Sequence, residues 1–197
     1  MTLERSLADL RSIALAIGER AAIIGHSWGG AVALLGGRQP FATKVVAIDP
    51  MVRVLPGTWR KEYLDDAELD LAMAPSALAA ELRRRLASWD ESDLLGKLHA
   101  VQNMRADAIE HLGSENRVDE GGWDLRGEVA AYPKPLLILA AGPNESVMSE
   151  EDLGFVRSQG GPRVELQIFE GEGHNLHRTA FDRYIAATKD FLSRENT

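Results

Sequence analysis

One serine stands between two glycines in Gly25-His26-Ser27-Trp28-Gly29-Gly30. That Gly-x-Ser-x-Gly spacing suits a sharp turn that lifts a serine hydroxyl clear of the backbone. A serine hydroxyl attacks a carbonyl only when a base takes its proton and an acid orients that base. His174, in Glu172-Gly173-His174-Asn175, is the expected base. Glu145, in Gly142-Pro143-Asn144-Glu145-Ser146, is the expected acid. Asp49, in Ile48-Asp49-Pro50, is the competing acid, although a carboxylate before proline commonly caps a turn. Ser27, His174 and a carboxylate are together the groups of acyl transfer.

These residues need elements that bring them to one place. Ala21-Ala22-Ile23-Ile24 before the serine reads as a strand, and the small residues Ala31-Val32-Ala33-Leu34 after it read as a helix. Gly25 and Gly29 are expected to be required because a Cβ at either would collide with the neighbouring backbone. Lys44 to Ile48 and Leu136 to Ala140 are buried-type strands, and Val164 to Phe169 alternates as an edge strand does. Strand–helix–strand order implies parallel pairing. Glu145, Asp49 and His174 each follow a strand, so all leave the C-terminal edge of one sheet, where open α/β sheets place ligands. An amphipathic helix precedes the first strand, ending at Gly18. Another, capped by Ser149, spans 149–158, and a last one starts near Leu176. The fold class is α/β, with about four parallel strands flanked by helices. Residues 1–50 and 132–197 form the core. Residues 51–131 are helical and strand-poor, with Leu78, Leu82 and Leu86 at helical spacing and a further helix from a Ser92 or Asp93 cap to Gly113, and they read as a lid.

Composition narrows the function. With 197 residues and 45% hydrophobic content, one core of ordinary size can form. A net charge of −8 without a basic block disfavours nucleic acid and anionic membranes. The absence of cysteine excludes disulfides, thiolate zinc sites and cysteine nucleophiles. No apolar run approaches the ~18 residues of a membrane span, and a cytoplasmic location is expected. His174 and His177 form an H-x-x-H pair with no visible third ligand, so neither a metal nor another cofactor is expected. His26 reads as structural, and His99 and His111 as solvated. Trp28, Trp59, Trp89 and Trp123 read as core packing or pocket lining.

The serine turn, the strand ending at Asp49-Pro50, the helical insertion, the Pro133–Ser146 stretch and Gly173-His174 resemble the C-terminal two-thirds of an α/β-hydrolase-fold protein. The resemblance implies Ser27 as nucleophile, Glu145 as acid, His174 as base and the Trp28 N–H as an oxyanion donor. It also implies that strands ordinarily preceding the serine strand are absent, with the loop that carries a second oxyanion donor. Such a truncated chain is expected to show weak activity or none, since one donor is worth on the order of 10²–10³ in rate. It would also leave an open sheet edge, through which a homodimer could form. The expected activity is hydrolysis of an ester-like or other acyl bond of a small molecule. The alternative is a non-catalytic binding module, a degenerate hydrolase.

Overall fold

The computed structural model describes residues 2–55, 65–105, 107–108, 122–143 and 145–195. Two compact units appear. One comprises residues 3–53 and 123–197, and the other residues 54–122 together with the extreme N-terminus.

The first unit is built on a four-stranded parallel sheet. Its strands are β1 (Ala21–His26), β2 (Ala42–Ile48), β3 (Leu136–Ala141) and β4 (Val164–Phe169), in the order β1-β2-β3-β4. Ile23, Val45, Leu136 and Val164 lie in one row across it. Every residue of β3 is fully buried, which is why its sequence is continuously apolar rather than alternating. β4 is half-buried along most of its length, as its alternating sequence predicts for an edge.

Helices α1 (Leu3–Ile17) and α2 (Trp28–Gly37) flank β1 and β2. α1 stops at Gly18, whose φ is 74° and whose N–H donates to Ala14 O at 3.1 Å. After the short α6 (Arg126–Ala130) comes α7 (Glu150–Gln159), which starts at a reciprocal capping box between Ser149 and Asp152. α8 (Leu176–Thr179) leads into α9 (Phe181–Ser193). Leu176 and Phe191 from these two helices pack with Val46, Ile48, Leu137 and Leu139 in one buried cluster.

The C-terminal half of α1 leaves large apolar side chains uncovered. Ile13 is 57% exposed, Leu15 82% and Ile17 59%. Ile24 on the outer strand β1 is 46% exposed. Between α1 and β1 runs a groove of about 220 Å³ lined by Leu10, Ile13, Ile17, Ile23 and Ile24. The N–H groups of Ala21 and Ser27 both point towards β2, donating to Phe41 O and Ile48 O at 2.9 Å. By strand alternation the intervening Ala22 and Ile24 amides face the outer edge.

The second unit contains α3 (Asp65–Ala72), α4 (Pro75–Arg85) and α5 (Glu91–Gln102), with Leu78, Leu82 and Val101 as its buried centre. α5 begins two to three residues earlier than its sequence suggests, after Asp90. It also stops well short of Gly113. Asn103 ends it, its side-chain amide donating to His99 O at 2.8 Å and its backbone N–H to the same oxygen at 3.1 Å. His99 is exposed. His111 and Trp59 lie outside the described residues. Among the described residues no helix is long and apolar enough to cross a membrane.

Candidate functional site

β1 ends at His26 and α2 begins at Trp28, so the chain reverses on Ser27 alone. Ser27 has φ 57° and ψ −118°, a region that costs a non-glycine residue of order 1–3 kcal/mol. Backbone hydrogen bonds hold it there. Its N–H donates to Ile48 O at 2.9 Å, and its carbonyl accepts from Ala31 N at 3.1 Å and Met51 N at 3.2 Å. A Cβ on Gly25 would lie 2.0 Å from Gly29 O, so only glycine fits there. Gly29 differs from expectation, because a Cβ on it would meet nothing within 4 Å. The second tight approach is one residue later, where a Cβ on Gly30 would come within 2.8 Å of the Pro50 side chain. The elbow packs sideways against the end of β2 rather than only onto its own helix. Ser27 Oγ makes no hydrogen bond among the described residues.

Asp49 follows β2 and shares the unusual backbone, with φ 39°. Its carboxylate is fully buried and accepts four hydrogen bonds. Oδ1 accepts from Ala141 N at 3.0 Å and Ser146 Oγ at 2.5 Å. Oδ2 accepts from Val147 N at 3.0 Å and His174 Nδ1 at 2.7 Å. Burial pushes the Asp49 carboxyl up, but the donors His174, Ser146, Ala141 and Val147 together outweigh it and hold it below the usual carboxylate range. Asp49 is therefore ionised at neutral pH. An ionised carboxylate only accepts, so Nδ1 of His174 carries the proton and Nε2 of the neutral ring is left as the basic nitrogen.

The structure brings His174 to Asp49 and not to Glu145. Glu145 sits in the turn after β3, its N–H donating to Gly142 O at 3.0 Å. Its side chain is exposed and makes no hydrogen bond to His174. The physical reason lies in the turn itself. Ser146 and Val147, next along, point their donors inwards at Asp49 and turn Glu145 outwards. Ser146 and Val147 were not singled out from the sequence, and nothing in their residue types announces them.

His26 lies against His174. Its ring centroid is 4.5 Å from that of His174 and 4.3 Å from that of His177. Burial first, then the neighbouring His174, push His26 down to about 4. Trp28 stands at the first position of α2, where the backbone N–H faces along the positive end of the helix dipole. Its indole Nε1 donates to Ser6 Oγ at 3.1 Å, and its ring meets Trp123 edge-on at 5.4 Å. Trp123 in turn donates to Met51 O at 2.7 Å.

The arrangement can be compared with known proteins. The model of the alpha/beta hydrolase family matches residues 2–187. None of the curated proteins compared with the chain by sequence matches it. Solved structures do. The N-formylmaleamic acid deformylase of Pseudomonas putida S16 is 17% identical, with 95% of this chain covering 73% of that one at a TM-score of 0.73. A carboxylesterase structure from Nitrososphaera gargenis is 15% identical, with 98% of this chain covering 72% of that one at 0.73. The proline iminopeptidase of Mycobacterium smegmatis is 19% identical, with 97% covering 71% at 0.64.

Proposed function

The chain belongs to the alpha/beta hydrolase family, and we propose that it is a serine hydrolase that cleaves an ester-like or other acyl bond of a small molecule. Ser27 is the nucleophile, His174 the base and Asp49 the orienting acid, in place of Glu145. The observation that carries this reading is the 2.7 Å bond from His174 Nδ1 to a buried, ionised Asp49. It fixes the tautomer in which Nε2 can take a proton.

In the reaction, Ser27 Oγ attacks the acyl carbon as its proton passes to His174 Nε2. Asp49 stabilises the imidazolium that forms. The Trp28 N–H donates to the developing oxyanion. The tetrahedral intermediate then collapses, and His174 gives its proton to the leaving group. Water, deprotonated by the same nitrogen, attacks the acyl-serine and frees Ser27. Deformylase, carboxylesterase and iminopeptidase, the names of the similar structures, are all activities on acyl bonds. They support the bond class without singling out a substrate.

A second reading, a non-catalytic binding module of the same fold, draws on Ser27 Oγ having no hydrogen bond to His174. Such bonds are often long before substrate arrives and tighten in the complex. Hydrolysis of short p-nitrophenyl esters separates the two readings. These esters carry a good leaving group and ask least of oxyanion stabilisation. The enzyme reading expects turnover that disappears in Ser27→Ala. Equal rates in both proteins, in folded samples, would leave the binding module.

A further inference from the structure

We infer that His26 is a positioning residue for the base, clamping the backbone of His174 from the serine side; the inference rests on the reading of His174 as that base. His26 Nε2 lies 3.0 Å from the carbonyl oxygen of His174. A carbonyl only accepts, so His26 Nε2 carries the hydrogen and donates. No other bond to that carbonyl is made among the described residues. The backbone around it has few other ties. Helix α8 begins two residues later, and its first internal bonds, from Arg178 N and Thr179 N, end on Asn175 O. On the upstream side the loop is tied through Glu172, whose carbonyl accepts from Gly142 N at 2.9 Å.

His174 is thus fixed at two points. Asp49 holds the imidazole by its Nδ1 edge, and His26 holds the peptide from which that imidazole hangs. The His26 ring also lies over the His174 ring at 36°, a tilted stack that limits rotation of the base about its own Cβ–Cγ bond. The His177 ring also lies against His26, with centroids 4.3 Å apart, so the clamp cannot swing away without parting from a second ring. The groups facing His26 are the His174 and His177 rings and the Asp49 carboxylate. With the ring neutral, it presents a π face to the imidazolium that His174 becomes during acylation, rather than a second positive charge. Because His26 precedes Ser27 directly, the residue that fixes the base is covalently joined to the nucleophile. A shift of the elbow therefore carries the base with it.

The test compares His26→Phe, which keeps a ring but loses the donor, with His26→Gln, which keeps a donor of similar reach. Circular dichroism melting checks the fold. Turnover of p-nitrophenyl acetate gives kcat and KM, and the downfield proton NMR signal of the His174 Nδ1–H reports the base without reference to turnover. The clamp predicts that His26→Phe loses roughly 10–100-fold in kcat with KM nearly unchanged, the scale of a slightly misplaced group. It also predicts that the Nδ1–H signal broadens in His26→Phe and that both effects are largely restored in His26→Gln. Folded His26→Phe with wild-type kcat and a sharp signal would overturn it, and so would a loss that Gln does not restore. If His26→Phe fails to fold, His26→Met supplies the donor-free arm. A wild-type protein without serine-dependent turnover would instead refute the hydrolase reading, while the NMR comparison would still decide whether His26 holds His174.

Discussion

Replacing Asp49 by Asn probes the site at its most determined point. All four groups around the carboxylate donate to it: Ala141 N, Ser146 Oγ, Val147 N and His174 Nδ1. An amide offers one oxygen and one NH₂, so it satisfies only one side of that set. With the oxygen towards Ala141 and Ser146, the NH₂ faces His174 and forces Nδ1 to accept. The ring proton then moves to Nε2, and the base is lost. With the oxygen towards His174 and Val147, the Ser146 hydroxyl can turn round and accept, but the Ala141 N–H is left without a partner. Either orientation therefore orphans one backbone N–H, Val147 in the first and Ala141 in the second, at about 1–3 kcal/mol, so this cost does not select the productive one. With the carboxylate charge gone and the wrong tautomer populated, kcat should fall by about 10³–10⁴, with KM little changed. A 10⁴-fold loss corresponds to about 5.4 kcal/mol of transition-state stabilisation. Steady-state hydrolysis of p-nitrophenyl acetate by wild type, Asp49→Asn and Glu145→Gln is the assay. Glu145→Gln should stay within about twofold, as expected for an exposed carboxylate with no hydrogen bond to His174. Asp49→Asn within about tenfold of wild type, with a large loss in Glu145→Gln, would refute the assignment of the acid.

Other outcomes follow from the same geometry. Gly25→Ala should lower the melting temperature sharply or prevent folding, because its Cβ would sit 2.0 Å from Gly29 O, whereas Gly29→Ala should melt close to wild type. His26 is ordinarily near 6.5 and is pushed down to about 4 in the fold, so on acidification the unfolded chain takes up the proton first. Stability should fall as pH drops from about 6.5 to about 4, and melting curves of His26→Gln should show a shallower slope over that window. Asp49 works in a lower window: its folded value is depressed, so its contribution is complete above about pH 4–5 and is lost as pH falls through the folded value, a loss that Asp49→Asn should not show. The exposed Ile24 and the outward amides of β1 support a homodimer through that edge. Light scattering should then give twice the monomer mass for wild type and the monomer mass for Ile24→Lys; a monomer in both would remove the dimer.

The parallel strands were legible because buried strands in such a sheet are written as short, unbroken apolar runs. Leu136 to Ala141 is the clearest case. The elbow was legible for a different reason: a serine forced to φ 57° needs Gly25 beside it, and that need leaves its mark as a fixed spacing. Ser149 announced α7 through its capping box with Asp152. The carboxylate that binds His174 was not legible in the same way. Glu145 and Asp49 both follow strands at the same sheet edge, and residue type does not reveal which side chain turns inwards. That choice is made by donors, Ser146 Oγ and the Val147 and Ala141 N–H groups, and two of the three are backbone groups that any residue possesses. The glycine requirement was placed at Gly29 rather than Gly30 because the contact that decides it comes from Pro50, across the end of the next strand. The early end of α5 was likewise set by one side chain, Asn103 turning back onto His99 O.

The proposed function requires that Ser27 be activated by His174 held on Asp49. A fluorophosphonate that forms a covalent bond only with an activated serine tests it directly, with the modified peptide located by mass spectrometry. The account predicts labelling at Ser27 in the wild-type protein, none in Ser27→Ala, and labelling slowed by orders of magnitude in Asp49→Asn. A folded wild-type protein left unmodified, or one modified at another serine, would contradict it.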